Sequence, residues 1–175
     1  MDAYTVQADV ATWLNAGAIS GLDKVWPAQP NAIGLNFADY GTGTMRCQAL
    51  VCVEADSNIR RSTPAANPAA GLLGKGYRLL RYGVRIDFCH WSVEPDWTAA
   101  DQALKKAIVG GVRDRIHADP TLGTSAAADP LFNSAGEGRR GIQVQYEDPF
   151  VRETSDGARE QWAYLSFDVL AWIQA

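Results

Sequence analysis

The chain switches repeatedly between helical and alternating apolar patterns. From Tyr4 to about Ala18, the residues Val6, Val10, Trp13, Leu14 and Gly17 recur at helical spacing, and Gly17 and Gly21 mark the stop. A short helix with one apolar face needs a sheet to bury it. Leu22–Pro30 is a brief extended piece closed by two prolines, and residues 31–44, rich in Gly, Asn and Thr, predict an irregular loop. Arg46–Glu54 is the first clear strand, with Ala49, Val51 and Val53 on one face and Gln48, Leu50 and Cys52 on the other. Residues 55–76 hold Arg60, Arg61, prolines, glycines and a run of alanines, and predict a second, long irregular loop.

Tyr77–Trp91 carries the strongest alternation in the chain. Tyr82, Val84, Ile86 and Phe88 face one way, while Arg81, Arg85 and Asp87 face the other. A strand of that length exceeds the usual five or six residues, so it is expected to bend or to project as an arm. Pro95 and Asp96 open a second helix, with Thr98 and Asp101 spaced like a capping box. Along it Leu104, Ile108, Val112 and Ile116 step by four, while Lys105, Lys106, Arg113 and Arg115 stay solvated. Asp119-Pro120 ends it, because proline cannot continue a helix. Residues 120–140 predict a third loop. Two late strands follow, Ile142–Tyr146 and Glu160–Ile173, joined through a turn containing Pro149, Asp156 and Gly157. This order predicts one α+β domain over residues 1–175: a largely antiparallel sheet of about four strands, two helices on one face, and long loops or arms.

Composition narrows the class. With 175 residues, 47% hydrophobic and 21% charged, the chain has the make-up of an ordinary globular domain. No apolar run approaches the roughly 20 residues of a membrane-spanning helix, and the N-terminus lacks the pattern of a secretory signal. The expectation is a cytoplasmic protein with no membrane partner. A net charge of −4 argues against a dedicated nucleic-acid binder. The charge is uneven, however: residues 46–91 carry seven basic against three acidic residues, a basic island between two acidic stretches. Arginine outnumbers lysine twelve to four, which suits planar multi-donor contacts at interfaces, although biased base composition produces the same excess.

Catalytic signals are sparse. Three cysteines, Cys47, Cys52 and Cys89, make an odd count without metal-ligand spacing, and small buried hydrophobes are the cheaper reading. Gly136-Glu137-Gly138-Arg139-Arg140-Gly141 matches the dinucleotide fingerprint formally, but a polar loop precedes it and a strand follows, so it reads as a turn. Gly74-Lys75-Gly76 lacks the remainder of a P-loop. No serine sits in a nucleophile elbow. His90 shares the apolar face of its strand, and His117 suits a helix C-terminus. The acidic pairs Glu94/Asp96 and Glu147/Asp148 have no third group to orient them. No enzyme signature emerges, and no cofactor is expected.

Tryptophan and arginine carry more. Six Trp are present, and along Trp162–Trp172 both faces are apolar, one with Trp162, Tyr164, Leu170 and Trp172, the other with Ala163, Leu165, Phe167 and Val169. Such a strand is covered by helices within its own fold or buried against another subunit, and both readings stand. The candidate interface or lumen residues are Arg60, Arg61, Arg78, Arg81, Arg85, Arg139, Arg140, Trp162 and Trp172.

Several segments together carry a resemblance: Val10-Ala11-Thr12-Trp13-Leu14, Gly21–Pro27, Tyr82–Phe88, Arg115–Gly123, Gly136–Gly138 with Gly141-Ile142, and Trp162–Val169. The chain resembles the small tail-terminator and head–tail joining proteins of long-tailed phages, particularly those of actinobacterial hosts. The likeness spans most of the chain in diffuse structural patterns. It implies an α+β virion protein without a cofactor, forming a homo-oligomeric ring, expected to be a hexamer. Such a ring caps the tail tube, stops polymerisation of tube protein, and joins the tail to a head-completion or connector protein. Genomic DNA would pass through its lumen. The alternatives are a connector-side neck protein and, from another class, a small-molecule-binding or hydrolytic domain using His90 and the Gly136–Gly141 turn.

Overall fold

Three strands of equal length organise the molecule. In the computed structural model, residues 3–27, 47–62, 77–92, 103–119, 121–122, 143–146, 152–153 and 159–174 are described. Helix α1 (Ala3–Ala16) leads to β1 (Lys24–Trp26) and β2 (Cys47–Ser62), followed by β3 (Tyr77–Ser92). A π-helical segment, Ala103–Val109, runs directly into α2 (Gly110–Ala118), and β4 (Gln143–Tyr146), β5 (Arg152–Glu153) and β6 (Arg159–Gln174) complete the order. The six strands form one sheet in the order β1-β2-β3-β6-β4, with β5 on the start of β6. All pairings are antiparallel except β1 on β2, which is parallel. The fold is therefore α+β with a largely antiparallel sheet and two helices.

Register explains the core. The rows Ala49–Phe88–Ala163, Val51–Ile86–Leu165 and Val53–Val84–Phe167 stack on one face. Against them lie Val6, Val10, Trp13 and Leu14 of α1, and Leu104, Ile108, Val109, Val112 and Ile116 of the second helix, all buried. Full burial of a side chain such as Phe88 or Leu14 is worth about 1.5–3 kcal/mol, so this face drives folding.

Polar contacts fix the helices in place. The Asn15 amide reaches β1 twice, donating to Val25 O at 2.8 Å and accepting from Val25 N at 2.9 Å. It does for this three-residue strand what a neighbouring strand would do. The Trp13 indole N–H donates to Asp119 at 3.1 Å, and the Arg115 guanidinium lies over the Trp13 ring at 4.4 Å while donating to Trp13 O at 3.1 Å. The start of the chain is thereby tied to the end of α2.

Several expectations require correction. Residues 55–62 are not loop: β2 continues through them, in register with β3 as far as Ser62↔Tyr77. The turn signals at Asp56, Ser57 and Asn58 lose to the ladder bonds that β3 offers, and two register shifts, at Val53/Ala55 and Asn58/Arg60, absorb the misfit. To the four longer strands of the sheet the short pieces Lys24–Trp26 and Arg152–Glu153 are added, each of which finds its partner only in three dimensions. Of the predicted 120–140 loop, Thr121 and Leu122 form a turn, with Leu122 buried in the core at φ 56°. The loop expectations for 31–44, 63–76 and 123–140, and the Pro95–Asp101 helix opening, lie outside the described residues.

Candidate interface

The face of the sheet opposite the helices holds Arg81, Arg85 and Trp162 of the predicted interface residues. Alternation along β3 places Arg81, Arg85 and Asp87 there, half-buried, while Tyr82, Val84, Ile86 and Phe88 are buried in the core. Arg85 grips Asp87, two residues on, with two bonds: Nε to Oδ1 at 2.6 Å and an NH2 nitrogen to Oδ2 at 3.0 Å. Its guanidinium also lies 5.5 Å from the Tyr164 ring centre. Arg81 pairs with Asp168 of β6 at 2.9 Å. With side chains 34% and 19% exposed, that pair is partly screened by water and adds little stability. Its effect is to neutralise the arginine where it stands.

Register places the remaining candidates. Arg60 lies in the row Arg60–Leu79–Trp172, and Arg61 in the adjacent row Arg61–Arg78–Ile173. Trp162 is half-buried in the row Gln48–Cys89–Trp162, on the side of Arg85 and Tyr164. Arg139 and Arg140 lie outside the described residues, as does the Gly136–Gly141 turn.

Asp168 is the member of this face that the sequence did not single out. Asp87 was legible as an i, i+2 neighbour of Arg85, whereas Asp168 and Tyr164 meet the arginines only through the β3–β6 register.

The groups with catalytic potential are placed elsewhere. Cys47, His90 and Gln161 form one buried row on the helix side of the sheet. Burial, with the Asp23 carboxylate as a second cause, pushes the Cys47 thiol far above its ordinary range, so it stays protonated and is a poor nucleophile. Asp23 accepts from Cys47 N at 2.8 Å and donates its own N–H to Cys47 O at 2.9 Å. His117 is exposed at the end of α2. Among the described residues, no group of three or more His, Cys, Asp or Glu converges as a metal site would need, and no helix is long and apolar enough to cross a membrane.

The described part of this face carries paired charges and half-buried aromatic rings. The β3–β6 ladder runs for sixteen rows, from Ser92↔Arg159 to Tyr77↔Gln174. That is about 50 Å of paired strand. No protein-family model and no curated protein matches the chain.

Proposed function

We propose that this chain is a structural subunit of the tail-terminator type: one copy of a ring that caps the tail tube of a long-tailed phage, halts addition of tube protein, and presents a docking face to the head. One observation carries the reading. The strands β2, β3 and β6 are each sixteen residues long, well beyond the usual five or six, and stay paired along that length. Such length suits a subunit that must reach a neighbour. A ring repeats one heterologous pair of patches around a closed rotation, so a single projecting element suffices for every contact. The resemblance set out above supplies the biological setting, with tube protein on one side and a head-completion or connector protein on the other.

Electron microscopy of virus particles assembled without this protein tests the reading. Over-long tails of variable length, lying apart from heads, are the expected result. Tails of normal length beside full but unjoined heads would assign the chain to the connector side of the neck. Intact infectious particles would refute both.

A further inference from the structure

The sheet face opposite the helices has a symmetry that neither the core nor a ring requires. Both helices pack on the other face, so this one is built from the residues that alternate with the core rows. The buried row Val51–Ile86–Leu165 is its centre. On one side of that row stand Leu50, Asp87 and Tyr164, and on the other Cys52, Arg85 and Ser166. One step further out, Cys89 and Trp162 on the first side answer to Gly83 and Asp168 on the second. Beyond them on β3 lie Trp91 and Arg81. All of these are half-buried except Cys89, which is buried.

A two-fold axis parallel to the central row, between two sheets stacked face to face, would set each residue against the one equally far beyond the row in a second copy. Every such pair is compatible. Arg85 meets Asp87 of the second copy and Asp87 meets its Arg85, so two bidentate pairs close into a group of four alternating charges. Leu50 meets Cys52, and the Tyr164 ring meets the small Ser166 hydroxyl. Trp162 brings its indole N–H to Asp168, whose carboxylate already holds Arg81 at 2.9 Å. Gly83 meets Cys89, two small residues. Furthest out, Arg81 comes to the Trp91 ring, a cation against an aromatic face. No like charges meet. An axis on the Gly83–Asp168 row would instead set Arg81 against Arg85 and Asp168 against its own copy.

We propose that this face is a two-fold contact between copies of the chain, with the sheets stacked about 10 Å apart. The inference does not rest on the ring reading. A ring repeats a heterologous contact, whereas this one is isologous, and rings that carried it would pair face to face. A second copy also suits the face better than other partners. Arg81 and Arg85 balance Asp87 and Asp168, so a polyanion finds no net charge to bind. A foreign protein needs no such symmetry, but a two-fold contact does, because one surface must serve as both halves. The Arg81 and Arg85 side chains keep 34% and 38% of their surface in water, within reach of a second copy.

Charge exchange on the full chain tests the contact, with mass read by light scattering as concentration rises. Wild type should reach a mass that contains an even number of 19.0 kDa subunits. Arg85→Asp alone and Asp87→Arg alone each set like charges opposite one another across the axis, so each should show half the wild-type mass. Mixed in equal amounts they should recover it, because every facing pair is then opposite in sign. That recovery also shows that both variants fold. The double variant Arg85→Asp/Asp87→Arg keeps the pair within each copy and the pair across the axis, and should match wild type. Leu50→Lys leaves the core and both ion pairs in place but puts a charge against Cys52, and it should halve the mass. Wild type that stays at the subunit mass at every concentration overturns the inference, as does Leu50→Lys at the wild-type mass. A double variant at half the mass would mean that Arg85 and Asp87 do not face each other, and overturns it too. If Leu50→Lys loses binding to added tail tube protein at unchanged mass, the face serves that partner and the self-contact is wrong.

Discussion

Single residues here are governed by what their strand position buries. Cys47 is fully buried, beside His90 and close to the Asp23 carboxylate, so its proton is held far more tightly in the fold than in the unfolded chain. The consequence for stability has a definite sign. Below about pH 9 the thiol is protonated in both states and its contribution is fully present. Above that, the unfolded chain gives up the proton while the folded chain keeps it, so stability falls by about 1.4 kcal/mol per pH unit from this group. Urea denaturation at pH 8, 9 and 10 should show a steeper decline for wild type than for Cys47→Ala. Parallel declines would mean that the thiol titrates normally. The comparison uses slopes, so the constant cost of removing the sulfur does not enter. Asp87 shows the same dependence on position. A carboxylate two residues from Arg85 on a strand lies on the same face and forms a bidentate pair, which sequence alone makes legible.

At the scale of elements, the helices are fastened to each other as well as to the sheet. Gly17, just beyond α1, lies so close to Arg115 that an added Cβ would fall 2.5 Å from its Nε and 2.6 Å from its Cζ. The glycine leaves room for the guanidinium to stack on Trp13 and reach its carbonyl. Gly17→Ala should therefore displace Arg115 and cost about 1–2 kcal/mol of folding free energy in chemical denaturation. In an Arg115→Ala background the same substitution should be nearly neutral. Equal costs in both backgrounds would place the penalty elsewhere. The second helix illustrates a different point. Leu104, Ile108, Val112 and Ile116 step by a constant four, which in a pure α-helix rotates the stripe by about 40° per step, off the core within three steps. The π-helical segment Ala103–Val109 has a wider turn and drifts the opposite way, so all four residues remain buried. The stepping was plain in the sequence. That it signalled a π-helical start became visible only when the sheet supplied a fixed surface for the stripe to follow.

For the whole molecule, stability should vary along the ladder. The rows from Ala49–Phe88–Ala163 to Val53–Val84–Phe167 have helices behind them, and the ladder continues to the row Ser62–Tyr77–Gln174. Amide hydrogen exchange on the isolated subunit should be slowest in the first set. If the long strand ends meet a neighbouring copy, as proposed, assembly should selectively slow exchange in residues 57–62, 77–81 and 170–174. Uniform protection along the ladder in the dissociated subunit would mean that the extension needs no neighbour for its stability.

Sequence alone determined the elements whose pattern is local. The alternation of Tyr82, Val84, Ile86 and Phe88 requires a strand with one buried face whatever it pairs with, and the spacing of Val6, Val10 and Leu14 requires a helix on a sheet. The α+β class followed from their order. The resemblance added a biological setting but no geometry. Tertiary structure decided everything that depends on a partner far along the chain. Residues 55–62 read as loop because Asp, Ser and Asn favour turns, and they form a strand because β3 lies alongside to take their backbone bonds. Lys24–Trp26 is too short to be a strand alone and becomes one between Asn15 and β2. The candidate arginines stand on two strands, and only the β2–β3 register, reset by two shifts, sets Arg60 opposite Leu79 and Arg61 opposite Arg78. Local physics specifies what a segment can form, while long-range pairing selects its neighbours, and an interface is made of neighbours.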